Sequence, residues 1–186
     1  MLIFSQDVRE KEAFHATLHP FIRNTVGSME FGGVFLNKYL NKGNTQGQKR
    51  LTTDVFQIAT ATLFQSPMQM FALTPNNLTD SKDILIDYMK DVPTTWDETV
   101  YIDGFPGKYA VIARRNGQNW YISGVNALTD PIKLKLQLPM VAGKSGSLYY
   151  DNDQSEAQFT NKKVNNDGSI EVTMQPNGGF VFVNEK

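Results

Sequence analysis

The 186-residue sequence contains no cysteine. Disulfide bonds, cysteine-ligated zinc or iron–sulfur sites and thiol catalysis are therefore excluded, because each of them requires sulfur ligands or a thiolate. The sequence also lacks an excess of charge of one sign, since 18 Lys and Arg stand against 19 Asp and Glu. This balance gives no electrostatic attraction for a phosphate backbone or an anionic membrane, so we expect neither nucleic acid nor a membrane as a partner.

Long apolar runs are missing as well. No stretch approaches the roughly 20 apolar residues that are needed to span a bilayer. The apolar start from Met1 to Phe4 is followed at once by polar and charged residues, and it is too short for a signal peptide. We therefore expect any export signal to lie outside the given sequence.

The hydrophobic pattern changes near residue 93 and predicts two parts, residues 1–92 and 93–186. Helical spacing upstream predicts a helix that is capped by Thr52 or Thr53 and runs to about Phe71. Apolar residues surround most of this helix, which indicates that it packs into a larger body. A second helix is predicted from about Thr79 to Val92, and a strand around Phe21–Ser28.

Residues 93–186 read as an antiparallel β unit, because short β-branched and aromatic runs alternate with Gly- and Asn-containing turns. The predicted strands are Glu98–Ile102, Tyr109–Arg115, Trp120–Val125, Ile132–Leu138, Ser147–Tyr150, Ser169–Met174 and Gly179–Val183. Residues 1–92 contain too little secondary structure to enclose a core of their own. We therefore expect them to be the end of a larger domain, or to dock onto the β unit.

Several segments resemble the last part of a glycoside hydrolase family 97 enzyme. Pro20-Phe21-Ile22-Arg23-Asn24, followed by Gly27-Ser28-Met29-Glu30-Phe31, is similar to a segment near the end of the family's catalytic (β/α)8 barrel. Leu63 to Gln69 is similar to its final barrel helix, and the motifs at 96–99, 112–115 and 120–124 are similar to its C-terminal β domain. The sequence departs from the family pattern at Ile22, where threonine is usual, and at Phe31-Gly32-Gly33.

This resemblance implies an α+β fold, in which the C-terminal fragment of a (β/α)8 barrel (1–92) is followed by an antiparallel β-sandwich-like domain (93–186). It also implies a calcium-dependent α-glucosidase or α-galactosidase that hydrolyses α-glycosidic bonds of oligosaccharides, forms a homo-oligomer, and is periplasmic or secreted. In the family most catalytic and calcium-binding carboxylates lie upstream of the matched region, so we expect this chain to be inactive alone. The alternative is a non-catalytic carbohydrate-binding or oligomerisation module.

Two carboxylates are candidates for catalysis, because cleavage of a glycosidic bond needs a pair of them. Glu30 is expected to follow the last barrel strand, where the active sites of such barrels gather. Glu12 lies in the charged run Asp7–Glu12, which is otherwise typical of a solvated surface. For both residues a structural role is the alternative.

His15, His19, Arg23 and Asn24 are candidates for substrate binding. The two histidines are four residues apart, as metal ligands on a helix would be, but the following Pro20 favours an extended His19. Arg23 could hold a carboxylate through two hydrogen bonds, or form a structural ion pair. No metal ligand is assigned.

Two further features could bind ligands. Asp151 to Ser155 offers alternate oxygen ligands but lacks the glycine and the glutamate of a calcium loop, so a turn is favoured. Trp96, Trp120, Tyr121, Tyr149 and Tyr150 could stack on sugars, although rings on alternating strands more often belong to a core.

Overall fold

Ten strands and four α-helices make up the part of the chain that the computed structural model describes, residues 6–39, 41 and 43–184. In chain order they are α1 (Gln6–Ile22), β1 (Phe31–Gly33), α2 (Asp54–Leu63), β2 (Gln69–Phe71), α3 (Asn77–Asp80), α4 (Asp83–Asp91), β3 (Glu98–Phe105), β4 (Tyr109–Asn116), β5 (Asn119–Asn126), β6 (Ile132–Gln137), β7 (Ser145–Asp151), β8 (Ala157–Lys163), β9 (Ser169–Met174) and β10 (Gly179–Asn184). None of these helices is long and apolar enough to cross a membrane.

A six-stranded antiparallel sheet dominates the second half, with the strand order β3-β4-β5-β10-β7-β8. One face packs against the two-stranded sheet β6–β9, and Ile122, Phe180 and Phe182 fill the core between them. The α+β class and the antiparallel β unit after a helical part are thus confirmed. All seven strands predicted for residues 93–186 are present. The sequence analysis missed β8, because its polar residues obscure the alternating pattern.

Helix α1 is the largest difference from the sequence-based expectation. The predicted strand around Phe21–Ser28 is wrong, because the chain is helical through Ile22 and then turns. The extended His19 is wrong for the same reason. Pro20 lies in the last turn, where it interrupts the helix only near its end, and the burial of Ala13 and Ala16 below it stabilises the helical conformation.

The predicted bounds of the next two helices were also too wide. Helix α2 begins as predicted, with Thr53 as its N-cap, but it ends at Leu63 rather than Phe71, because Phe64 is extended and Pro67 follows. The chain then forms β2, which pairs with β1 in parallel. The helix expected over Thr79–Val92 is divided at Ser81 into α3 and α4.

Helix α2 lies on the other face of the six-stranded sheet, across β5 and β10. Every residue from Val55 to Leu63 is buried, so the expectation that this helix packs into a larger body is confirmed. The contact with the sheet is close at Gly179, where a Cβ atom would lie 3.2 Å from Cα of Phe56 and 2.7 Å from the carbonyl oxygen of Gly124.

The C-terminal end of α2 is fixed by Arg114 of β4, whose side chain is 1% exposed. Its Nε donates to the carbonyl oxygen of Thr62 at 2.7 Å, and Nη2 donates to that of Leu63 at 3.2 Å. These carbonyl groups lie in the last turn and lack helical partners, and a cation there also interacts favourably with the helix dipole. Burial lowers the pKa of Arg114 to about 10, so the guanidinium stays charged at neutral pH.

The N-terminal end of α2 is fixed by Asp151 of β7. The Thr53 hydroxyl accepts from the N–H of Phe56 at 3.0 Å and donates to Oδ2 of Asp151 at 2.7 Å. The same Oδ2 accepts from the N–H of Gly179 at 3.0 Å, while Oδ1 is buried without a partner among the described residues. Burial outweighs the hydrogen bonds and raises the pKa of Asp151 to about 6.

Replacing the buried arginine tests the C-terminal contact. We expect Arg114→Leu to lower the free energy of unfolding by about 2–4 kcal/mol, because two buried carbonyl groups lose their donors. Arg115→Leu is the matched control, since Arg115 forms half-exposed ion pairs with Asp97 and Glu98 and should cost below about 1 kcal/mol. Denaturant unfolding of both variants measures the difference, and equal losses would contradict the assigned role.

The pKa of Asp151 predicts a pH dependence of stability. A carboxyl whose folded-state pKa is raised contributes stability that is complete below its unfolded pKa near 4 and is lost as the pH rises through about 6. Unfolding free energies of wild type and Asp151→Asn, measured from pH 4 to pH 8, should therefore diverge by about 3 kcal/mol in favour of the variant as the pH rises. Glu12 titrates in both proteins and cancels in this comparison. Parallel curves would refute the assignment.

Candidate functional site

A cavity of about 160 Å³ lies between α1, β1 and α2. It brings together three residues that the sequence analysis singled out, Glu12, His19 and Glu30. The remaining lining is mostly apolar and includes Ala16, Met29, Phe31, Phe35, Phe56, Phe64 and Ala72. The cavity therefore combines an apolar wall with a few titratable groups, which is typical of a ligand-binding site.

Glu12 projects from α1 into the body of the protein and is 5% exposed. Its Oε1 accepts from Nε2 of Gln57 at 2.7 Å, and its Oε2 accepts from the Thr52 hydroxyl at 3.1 Å. The solvated surface expected for this charged run is therefore wrong at Glu12, because α1 turns this residue inward. Burial raises the pKa of its carboxyl group, although the hydrogen bonds and the nearby Arg50 oppose the shift.

The bonds of Glu12 show what this carboxylate does in the described part of the chain. Both of its oxygen atoms accept hydrogen bonds from residues at or near the start of α2, so Glu12 joins α1 to α2. Arg50, which is also buried, donates to the carbonyl oxygens of Leu36 and Asn37 and is paired with Asp54. This polar network holds the loop between β1 and α2 in place.

Glu30 is exposed and stands directly before β1. The expectation that it follows a strand is wrong, because the expected strand is the end of α1. At the rim of the cavity, its carboxylate remains accessible to a ligand. Its catalytic role stays a prediction.

His19 lines the cavity with its ring edge against Phe64, at 5.2 Å between ring centroids. Its Nδ1 is buried and has no hydrogen-bond partner among the described residues. Burial, followed by the proximity of His15, lowers the pKa of His19, so the ring is neutral near pH 7. His15 lies on the same helix with its ring beside Phe14, at 5.9 Å, and does not line the cavity.

Arg23 and Asn24 make contacts to the backbone. Arg23 donates to the carbonyl oxygens of Gly27 and Ser28, at 3.4 and 3.0 Å. The clamp on a carboxylate from outside this chain stays a prediction. The Asn24 side chain bonds both the N–H and the carbonyl oxygen of Gln65. These contacts hold the turn after α1 against the segment after α2, and a role in substrate binding stays a prediction.

The Asp151–Ser155 segment and two of the aromatic residues have structural roles in the described residues. Asn152 closes the turn between β7 and β8 by accepting from the N–H groups of Gln154 and Glu156, so the favoured turn is confirmed. Residues 6–39, 41 and 43–184 contain no group of three or more His, Asp or Glu residues that could hold a metal ion. Trp120 and Tyr121 are 8% and 6% exposed and belong to the two cores on either side of the sheet.

Sequence reasoning missed Gln57 and Arg114, which organise the structure more than any predicted site residue. Each had a signal, since Gln57 is a polar residue within an otherwise apolar helix and Arg114 follows Val111-Ile112-Ala113 in a buried strand. A buried polar side chain must be hydrogen-bonded, so both positions indicate a specific partner elsewhere in the fold.

The family model described as "Glycosyl-hydrolase 97 C-terminal, oligomerisation" matches residues 95–184. The retaining alpha-galactosidase of Bacteroides thetaiotaomicron is 29% identical, over 88% of this chain and 26% of that protein. The crystal structure of a beta-arabinopyranosidase superposes with a TM-score of 0.94 at 53% identity, over 98% of this chain and 29% of that chain. A family 97 enzyme from Pseudoalteromonas sp. strain K8, in complex with panose, shares the fold with a TM-score of 0.77 at 22% identity, over 97% of this chain and 30% of that chain.

The chain thus spans less than a third of the length of each of these relatives. The similarity extends through both the helical part and the β domain, and it confirms the resemblance that the sequence motifs indicated. Residues 95–184 are a C-terminal domain of glycoside hydrolase family 97, and the chain as a whole has the fold of the C-terminal portion of such an enzyme.

Proposed function

We propose that the parent enzyme of this chain removes α-galactoside or β-arabinopyranoside units from oligosaccharides. The observation that carries the proposal is the 53% identity to a beta-arabinopyranosidase over 98% of this chain, supported by the likeness to a retaining alpha-galactosidase. The two substrate classes are chemically consistent, because β-L-arabinopyranose has the ring configuration of α-D-galactopyranose without its hydroxymethyl group. The earlier expectation of α-glycosidic cleavage is thereby narrowed to galactose-like rings.

Within that enzyme, the described residues support catalysis instead of performing it. Retaining hydrolysis needs two carboxyl groups about 5–5.5 Å apart, one as nucleophile and one as acid and base. Both oxygen atoms of Glu12 accept hydrogen bonds from Gln57 and Thr52, which favours the structural role for this residue. Glu30 is accessible, and we propose that it contacts the sugar or a carboxylate from the preceding part of the barrel.

We propose that calcium dependence and the cellular location are properties of the parent enzyme as a whole. The described residues do not fit a calcium site, because carboxylates do not cluster in them and Asp151 is already bonded to Thr53 and Gly179. We propose that any calcium ligands come from the preceding part of the barrel, and that the enzyme is periplasmic or secreted.

The purified chain should not hydrolyse aryl α-galactosides, aryl β-L-arabinopyranosides or aryl α-glucosides above the uncatalysed rate. The reason is that a second free carboxylate is missing from the cavity of the described residues. A chromogenic assay on protein with a cooperative unfolding transition measures this. Turnover that disappears in Glu30→Gln or Glu12→Gln would refute the proposal, because it would reveal a complete site.

We further propose that the β domain mediates self-association through the outer edge of β3. The matched family model carries the description "oligomerisation" and begins at residue 95, just before this strand. Tyr101 and Phe105 of β3 are 54% and 56% exposed, and an edge strand presents backbone groups to a second chain. Phe14 and Phe21 of α1 extend this apolar surface, because Phe21 packs against Tyr101 at 5.7 Å between ring centroids.

Sedimentation velocity should give a mass of at least twice the 20.9 kDa of one chain. We expect Phe105→Ser to shift the equilibrium toward the monomer at least tenfold, because it removes a ring from the proposed contact. Phe159→Ser is the matched control, since Phe159 is 46% exposed on β8 at the opposite edge of the sheet. If only the Phe159→Ser protein dissociates, the contact lies at the β8 edge of the sheet and the proposal is wrong.

A further inference from the structure

A groove of about 580 Å³ opens on the β domain, between the β7–β8 hairpin and strand β9. It lies on the face of the six-stranded sheet that packs against β6–β9, whereas α2 covers the opposite face. Its floor is apolar and consists of Leu148, Val172 and Phe180. The volume is within the range of small-molecule sites and is larger than that of the cavity near Glu30.

Tyr150 distinguishes this groove from the other aromatic positions. Tyr149 is packed between the rings of Tyr88 and Phe159, at 5.4 and 5.2 Å, and faces the helical side of the sheet. Tyr150 points to the other side, lines the groove and stacks on no other ring of the described residues. Part of the ring packs against the core between the two sheets, and the hydroxyl makes no hydrogen bond among the described residues. The hydroxyl and the part of the ring that lines the groove are therefore available to a ligand.

The rim of the groove is polar and carries both signs of charge. Two lysines, Lys133 and Lys162, and three carboxylates, Asp151, Asp153 and Glu171, line the groove, and the polar side chains of Asn152, Gln154, Thr160, Thr173 and Gln175 complete the lining. Asp151 is buried and bonded to Thr53 and Gly179, so the outer rim carries two lysines and two carboxylates around an apolar floor. An anionic ligand would meet repulsion from the carboxylates, and a cation would meet repulsion from the lysines.

The edge of β9 adds backbone groups to the groove. The carbonyl oxygen of Glu171 points away from β6, because it accepts from Nζ of Lys162 at 3.0 Å. In an antiparallel strand the backbone groups of alternate residues point the same way, so the N–H and carbonyl of Thr173 face the groove as well. This edge resembles the fixed polar groups that orient ligands in small-molecule sites.

We propose that this groove is a binding site for a neutral pyranose unit. The Tyr150 ring packs against a C–H face of the sugar, and the mixed rim exchanges hydrogen bonds with its hydroxyl groups. Neutral sugars match these features because they combine an apolar face with many uncharged donors and acceptors. The preference for galactose-like rings rests on the proposed function. The proposal that the groove binds a pyranose does not depend on that function.

Titration of the 186-residue chain with methyl α-D-galactopyranoside, methyl β-L-arabinopyranoside and methyl α-D-glucopyranoside tests the proposal. Isothermal calorimetry should show saturable binding of at least one of them in the millimolar range. Tyr150→Ala should weaken that binding at least tenfold, because it removes the stacking ring, while Tyr150→Phe should retain most of it. Phe159→Ala is the matched control, since Phe159 is an exposed ring on β8 that packs on Tyr149 and lies outside the groove.

Several results would overturn the proposal. Folded wild-type protein that binds none of the three glycosides, or an equal loss in the Phe159 and Tyr150 variants, would exclude a sugar site in the groove. A Tyr150→Ala variant that dissociates without a change in sugar affinity would show that a second copy occupies the groove instead. If Tyr150→Ala unfolds, loss of binding in a folded Lys133→Ala and Glu171→Ala double variant decides the question. Binding of the glucoside alone would support the groove and count against the galactose-like substrates.

Discussion

Two buried side chains of opposite charge hold helix α2 on the sheet, and the contact between the helical part and the β domain depends on them. Asp151 lies at the positive end of the helix dipole and Arg114 at the negative end, and both come from strands of the β domain. Each also satisfies backbone or capping groups that would otherwise be buried without partners. The hydrophobic contact of α2 with β5 and β10 buries the apolar surface of the helix, while Asp151 and Arg114 fix its position along the sheet.

Because of this arrangement, the helical part and the β domain do not pack as separate bodies. Since α2 contributes to the core on one side of the six-stranded sheet, the helical part and the β domain share a single hydrophobic cluster. The other core, between the six-stranded sheet and β6–β9, is internal to the β domain. Because the packing is continuous across residue 93, the domain boundary that the sequence predicts there stays a prediction.

The β strands could be predicted from the sequence because local signals determine them, namely alternation and turns such as Asn116-Gly117, where glycine adopts a positive φ of 58°. The helices were harder, since their bounds depend on distant partners. Helix α1 continues past the signal of Pro20 because Ala13 and Ala16 are buried by tertiary packing. The burial of Glu12 could not be predicted from the sequence for a similar reason. Its partners Gln57 and Thr52 are 45 and 40 residues away, and only the fold brings them together.

The close approach of Gly179 to Phe56 affects how the helical part can move relative to the β domain. Any larger residue at 179 would push the helix and the sheet apart, since even a methyl group would meet backbone atoms of both Phe56 and Gly124. Because glycine has no side chain, the backbones of α2 and β10 come into close contact at this point. This close contact limits how far the helical part can tilt relative to the β domain.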